Sequence, residues 1–501
     1  MDVLTQLAGG LAQVLTPVNL VVLAIGLVLG LLVAVLPGLT LVMGVVLALP
    51  FTYAMEVTPA IILLTAMYVT GTYGGALTAI LFRVPGEPID VPLLWDGYTM
   101  ARNGLPAKAL GWTLMAAFVG GMVAACVMVA FSEPVARVAL TLSTPEYFAI
   151  IFFGLSSVVS LGGGSLTHAL ISLCIGLLIS TVGVDATYGT ERFAFGIPML
   201  IDGIEYLLVM VGAYGIGEVF TRLYHGYGSA AVGRVDRLRT DLPRLSEIGA
   251  VRASLARGSL VGVVVGLVPG AGATIASFVA YGAEGQYGGR RRELGSGIPE
   301  GIVAPQTAAT SSVGGAMIPL LTMGIPGSGA TAIILGAFLL HGVQPGPQIF
   351  ADPAQARMVY AVFASMFVGV LGMCLLGYFA IKLLVRVLEF PEAVVSAFVV
   401  MFCFIGAFAA RNNLSDLYVI AAFGVLGFLC ERFRFPIAPL VLGTILGPLA
   451  ENTFMTTMIS FDNDWTVFFT RPVAGIVMVL SLAALGYPAL RHLRARRKIA
   501  A

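Results

Sequence analysis

Four Pro-Gly pairs interrupt apolar stretches of this 501-residue chain: Pro37-Gly38, Pro85-Gly86, Pro269-Gly270 and Pro326-Gly327. Proline removes an N–H and disfavours helix in the residue before it, and glycine accepts backbone angles that other residues resist. Each pair therefore frees carbonyls and amides. In hydrocarbon an unsatisfied polar group is costly, so such a break is tolerated only where protein or a water-lined cavity covers it. The amides and dipole at a half-helix amino terminus suit an anion, and the carbonyls at a carboxyl end suit a cation. Hydroxyls gather at the same places: Thr40, Thr70 and Thr72, then Thr274, Thr310, Ser311, Ser312 and Ser328. Arg83 stands two residues before one of the breaks, and its planar fork suits a carboxylate. In an apolar region it must be paired or solvated. A carboxylate substrate, an ion pair with Glu87 or Asp90, and a reach to an interface are the partners open to it.

The elements that must position these groups follow from composition. Hydrophobic residues make up 58% of the chain and charged residues 11%, far from the balance of a soluble domain. Apolar runs recur along the whole chain at about the length that a bilayer core of roughly 30 Å requires, which predicts an all-α polytopic membrane protein of about 11–12 hydrophobic segments. Segments such as 114–131 and 472–488 lack the polar face a soluble helix would carry. The net charge of +1 argues against a nucleic-acid partner. The histidines are far apart without H-E-x-x-H spacing, which nominates no metal site, and no G-x-x-x-x-G-K-[ST] phosphate loop occurs. Nothing nominates a nucleophile with a base, so no catalytic residue and no enzyme activity are expected. The five cysteines follow no pairing pattern and read as packing residues. No base precedes Arg83, so the first segment lacks the basic start of a secretory signal and is expected to stay in the mature chain.

The chain also repeats itself. "GLVLGLLVAVLPG" at 26–38 returns as "GSLVGVVVGLVPG" at 258–270, pairing Gly26 with Gly258, Gly30 with Gly262, Ala34 with Gly266, and the two Pro-Gly pairs with each other. Further on, "GGALTAILFRVPG" at 74–86 returns as "GGAMIPLLTMGIPG" at 314–327, aligning Gly74 and Gly75 with Gly314 and Gly315. Two matches in one order, each ending in Pro-Gly, predict an internal duplication. The halves are residues 1–221 and 258–490, joined by a basic linker at 222–257 and followed by a basic tail at 491–501. Linker and tail are expected in the cytoplasm and the base-free amino terminus in the periplasm. The flanks of the first Pro-Gly segment carry no base, whereas Arg252, Arg257 and Arg290–Arg292 surround the second. The copies are thus expected to enter the membrane from opposite sides, as inverted-topology repeats of broken helices or re-entrant hairpins. Small residues also permit close helix packing in membranes, and Gly26, Gly30 and Gly262 fit that role better than a cavity.

The residues that carry a family resemblance are "LVPGAGAT" (267–274), with Gly272 and Thr274, "GIPEGIVAPQTAA" (297–309), "GGAMIPLLTMGIPGSGAT" (314–331), "DGYTMARNGLPAKALG" (96–111), and "LGPLAENTF" with "DWTVFFTRP" (446–472). In this order they make the chain resemble the large membrane subunit of the tripartite tricarboxylate transporter family. The resemblance implies a bacterial inner-membrane permease that works with a small membrane subunit and a periplasmic solute-binding protein. It implies carboxylate import driven by a Na+ or H+ gradient, with a coupling cation and no other cofactor. A stand-alone carrier or an ion channel is the alternative. Two departures stand out: where the family pattern carries an acid and paired asparagines, this chain has Gln306, Ala309 and Thr310, and where it often has a small or amide residue, this chain has Arg83. Glu300 and Glu451 fall inside the motifs and, with Asp202, Glu205 and Glu218, are candidates to carry a proton or accept sodium.

Overall fold

A computed structural model describes residues 3–36, 39–161, 165–185, 189–226, 240–379, 392–411 and 413–499. Helices dominate, and strand among the described residues is confined to one short antiparallel pair, Gly183–Val184 with Glu191–Arg192. Six of the described helices are long and apolar enough to cross a membrane, and six shorter apolar helices accompany them. The chain forms two compact units, residues 1–136 with 227–397 and residues 137–226 with 398–501. Each unit draws on both sequence halves, so the compact divisions do not coincide with the linker. Part of the basic linker (227–239), together with Pro37 and Gly38, lies outside the described residues. So do the tail side chains; there only the backbone of helix Pro472–Ile499 is described.

The first unit contains the broken segments. The first sequence half supplies α1 (Pro17–Val35), α2 (Leu41–Thr52), α3 (Val57–Phe82), α4 (Leu93–Arg102) and α5 (Pro106–Ala139, whose last residues pass into the other unit). The second sequence half supplies α6 (Arg252–Leu267), α7 (Gly272–Tyr287), α8 (Glu300–Met323), α9 (Gly329–Leu340) and α10 (Pro353–Phe379). The order is the same twice over: a helix, a Pro-Gly break, a second helix, a long buried helix, a second Pro-Gly break, a short helix and a long one. The long buried helices α3 and α8 end in the same way. Arg83 and Gly324 each take the left-handed conformation at the carboxyl cap, with φ of 60° and 70°. The next amide in each case returns to an older carbonyl, Val84 to Thr78 and Ile325 to Pro319. This is the Schellman closure that stops a helix by satisfying its last carbonyls.

The duplication extends to individual contacts. A Cβ on Gly26 would meet the Leu63 carbonyl at 2.6 Å, and one on Gly258 the Ala304 carbonyl at 2.6 Å. Gly30 lies against Met67 and Thr70, and Gly262 against Ala308 and Ser311. Gly74 packs on Ala34 and Leu31, and Gly315 on Gly266 and Val263. Glycine stripes thus let α1 lie on α3 and α6 on α8 at backbone distance, the close-packing role expected of small residues. The contacts also correct the sequence alignment by one position. Gly74 matches Gly315 rather than Gly314, and Gly75 matches Ala316, because Gly86 abuts Gly75 where Gly327 abuts Ala316. Gly314 serves a different contact, against Ala124 of α5. The final helices cross over: α5 of the first copy packs on α8 of the second, Thr307 Oγ1 donating to the Ala116 carbonyl at 3.3 Å. In turn α10 of the second copy packs on α3 of the first, with Gly377 facing Tyr73.

In the second unit, helices Thr144–Leu161, Leu166–Ser180, Ile437–Ser460 and Pro472–Ile499 pack together. Arg471 donates to Glu146 at 2.6 Å and Arg192 holds Glu451 with both terminal nitrogens. Glu218 pairs with Arg222 one turn later, and in the first unit Glu300 lies 3.5 Å from Arg290.

Candidate functional site

The three described breaks of the first unit, at 85–86, 269–270 and 326–327, gather around the amino-terminal ends of α2 and α9. Gly270 and Gly272 take left-handed backbone, φ 81° and 60°, which favours glycine, and the Gly270 amide donates to the Gly327 carbonyl at 3.1 Å. The two breaks of the second copy therefore close on each other. Ser328 caps α9 by a reciprocal pair with Thr331, and its hydroxyl meets Tyr68 Oη at 3.0 Å across from α3. In the first copy Thr40 caps α2 through the Met43 amide at 3.1 Å, and the Glu87 carboxylate accepts from the Leu41 amide. The two helix starts adjoin: a Cβ on Gly329 would meet the Val42 side chain at 3.1 Å. Because the first amides of a helix have no partner inside it, this arrangement concentrates N–H groups and two positive dipole ends in one place. Pro85 and Gly86 lead into a short turn at Pro88–Asp90, where the Asp90 carboxylate accepts from the Glu87 amide at 3.0 Å. Ser277 of α7 donates to the Ile89 carbonyl at 2.9 Å, tying that turn to the other copy.

The remaining sequence candidates serve the packing around this place. Gln306, 1% exposed, donates its amide to the Thr72 carbonyl at 3.0 Å and to Thr310 Oγ1 at 3.2 Å. It joins α8 to α3. Thr70 and Thr310 return their hydroxyls to the carbonyls four residues earlier, at 2.9 Å and 3.0 Å, and Ser311 reaches the Ser259 carbonyl of α6. Gly74, Gly75, Gly314 and Gly315 lie at backbone contacts. Thr274 is half-buried in the first turn of α7. The structure brings Gly270, Gly272, Gly327 and Ser328 together, whereas Pro37 and Gly38 lie outside the described residues.

Arg83 stands apart from that group. Among the described residues it forms no ion pair with Glu87 or Asp90; it is exposed and lies over the Tyr98 ring, 5.5 Å from the centroid. Left-handed backbone in a residue with a Cβ costs on the order of 1 kcal/mol, and the matched position carries Gly324. Glycine and asparagine tolerate that conformation best, which fits the small or amide residue that the family resemblance led one to expect at this position.

Sequence reasoning missed Tyr68, Glu87, Asp96 and Tyr281 as organising groups. Glu87 was within reach, because the pairing of the second breaks puts it opposite Ser328, and both hold a helix start. Asp96 is fully buried and accepts from the amides of Gly295, Gly297 and Ile298 at 2.9–3.0 Å and from Tyr281 Oη at 2.9 Å. It fastens the motif at 96–111 to the one at 297–309.

Comparison with known proteins bears on what this arrangement serves. Residues 20–442 match the model of the Tripartite tricarboxylate transporter TctA family. The chain is 36% identical over 497 residues, 99% of its length and 98% of the relative's, to an uncharacterised 52.8 kDa protein of the TAR-I ttuC′ 3′ region of Agrobacterium vitis. It is also 36% identical over 236 residues, 47% of this chain and 97% of the relative, to an uncharacterised protein of the TAR-II ttuC′ 3′ region of the same organism. No solved structure matches.

Proposed function

The chain belongs to the tripartite tricarboxylate transporter TctA family, and from that premise we propose that it is the large permease subunit of a secondary transporter that imports carboxylates with a solute-binding protein. In this reading the binding protein docks from the periplasm, a small membrane subunit completes the complex in the bacterial inner membrane, and a Na+ or H+ gradient drives uptake. One observation carries it: the adjoining amino-terminal ends of α2 and α9, one from each copy, capped by Thr40 and Ser328. Amides and dipole ends from two helices provide for a carboxylate what a single exposed base would not. The nearby carboxylate of Glu87 and the freed carbonyls of the breaks suit the accompanying cation. Two helix starts of different copies in one place are what an alternating-access carrier built from inverted repeats requires.

Purified subunits in proteoliposomes test this reading. Citrate or another multivalent carboxylate is expected to accumulate only when the binding protein and an inward Na+ or H+ gradient are both present. Uptake that is unaffected by omitting the binding protein would overturn it, and so would an ohmic current. The opposed orientation of the copies has its own test. Single cysteines replacing Glu56, between α2 and α3, and Arg290, between α7 and α8, occupy equivalent exposed links. In a cysteine-free background an impermeant maleimide is expected to label Glu56→Cys from the periplasm and Arg290→Cys only from the cytoplasm. Labelling of both from one side would refute inversion.

A further inference from the structure

The cleft beside Arg83 takes no part in the site at the α2 and α9 helix starts. It has a volume of about 520 Å3 and is lined by Arg83, Arg102, Trp95, Tyr98 and Tyr281 together with neighbouring residues of α4 and the Gly295 turn. That volume falls in the range of small-molecule sites, about 300–1,000 Å3. We propose that this cleft is a second carboxylate site, which binds a di- or tricarboxylate between the Arg83 and Arg102 guanidinium groups against the aromatic walls. The proposal rests on the carboxylate-permease reading for the identity of its ligand, but on separate residues.

Three observations converge on it. First, Arg83 occupies a backbone position that glycine would fill without strain, as Gly324 does in the other copy. Its side chain neither stops the helix, which the Schellman bonds of Arg83 and Val84 do through the backbone, nor pairs with Glu87 or Asp90, and it extends into the cleft. Second, Arg102 joins the same cleft from the last turn of α4, and both arginines are exposed and without an ion pair among the described residues. The adjoining carboxylate, Asp96, already accepts on both oxygens from backbone amides and Tyr281, so it does not take up either guanidinium. Third, the walls are preset. Trp95 packs on Tyr281 with centroids 4.6 Å apart and on Phe278 at 5.9 Å, and Tyr98 lies beneath Arg83. Two planar forks can each hold a carboxylate in two hydrogen bonds. The tilted rings of Trp95 and Tyr281 wall the cleft and limit competing water, and the Tyr98 ring supports the Arg83 fork. A monocarboxylate would engage one fork and leave the other solvated, which favours ligands with two or three carboxyl groups.

Trp95, 41% exposed and one of three tryptophans in the chain, reports occupancy directly. When the purified full-length protein is titrated with citrate, succinate, acetate and inorganic phosphate, citrate and succinate are expected to change its fluorescence saturably, acetate and phosphate far less. The response is expected to vanish in Trp95→Phe. Arg83→Gly and Arg102→Gln are each expected to raise the citrate Kd about tenfold or more, and Arg83→Gly to keep or raise the thermal midpoint because glycine suits the backbone. Arg83→Lys retains a positive charge at the helix end but not the fork and is expected to fall between. Unchanged citrate affinity in both Arg83→Gly and Arg102→Gln would overturn the proposal, and a phosphate response equal to that of citrate would overturn its carboxylate class. Since the titration needs no partner subunit or gradient, it can succeed where uptake fails and fail where uptake succeeds, which separates the two readings.

Discussion

Alanine at Gly86 and alanine at Gly327 are expected to abolish carboxylate uptake to a similar degree, although the two positions lie far apart in the chain. A Cβ on Gly86 would stand 2.6 Å from both the Ala34 carbonyl oxygen and Gly75 Cα, and one on Gly327 would stand 2.7 Å from Ala316 Cα and 2.8 Å from the Gly266 carbonyl oxygen. These neighbours are the same positions of the two copies, and all the named atoms are backbone, which cannot turn aside as a flexible side chain can. Overpacking of this kind typically costs ~1–3 kcal/mol, equivalent to a change of about 5- to 150-fold in an equilibrium. Here the displaced segments are the turns that lead to Glu87 and Ser328, so the shift falls on the starts of α2 and α9. Gly282, where an added Cβ meets nothing within 4 Å, provides the control, and Gly282→Ala is expected to transport normally. Measured uptake in reconstituted vesicles, with thermal midpoints for each variant, decides the matter. Normal transport by either Gly86→Ala or Gly327→Ala would mean that the break it belongs to is not part of the path.

The duplication was legible because its residues are types with strong backbone or packing meaning. Proline and glycine announce a break, and glycines one helical turn apart announce a close contact, so Gly26, Gly30 and Gly262 could be assigned to packing without coordinates. The one-position error at Gly74 arose because two adjacent glycines offer two alignments, and only the contacts with Ala34 and Gly266 separate them. The left-handed turn at Arg83 was hidden by its residue type, since arginine carries no sign of that conformation, whereas Gly324 does. Polar partnerships were less legible. Gln306 looked like a ligand because the family resemblance implied ligating groups near it, yet its amide is bonded to Thr72 from the other copy. The compact units also escaped the sequence, because the linker marks where a copy ends and not where its helices pack.

Asp96→Asn is expected to cost the fold more than removal of the neutral hydrogen bonds of Gln306 or Thr310. The carboxylate is fully buried and both its oxygens accept from amide or hydroxyl donors on a segment about 200 residues away. Asparagine keeps the shape but turns one acceptor into an N–H donor, which would then face N–H and O–H donors. Leaving buried donors unpaired costs about 1–3 kcal/mol each, and hydrogen bonds to a charged group are worth more than neutral ones. The expected result is a large fall in the yield of monodisperse protein and in its thermal midpoint. The same joint can be tested from the other side, because Gly301 faces Asp96 so closely that an added Cβ would approach Asp96 Cβ to 2.8 Å. Gly301→Ala is therefore expected to produce the same defect. Thr99 lies on the same helix, but its hydroxyl bonds the Trp95 carbonyl of its own turn at 2.5 Å, so Thr99→Ala is expected to be mild. The two severe variants are also expected to be less than additive when combined, because each opens the one joint between α4 and the turn that precedes α8. Wild-type stability in Asp96→Asn, or full additivity with Gly301→Ala, would show that the two motifs are held together by something other than this carboxylate.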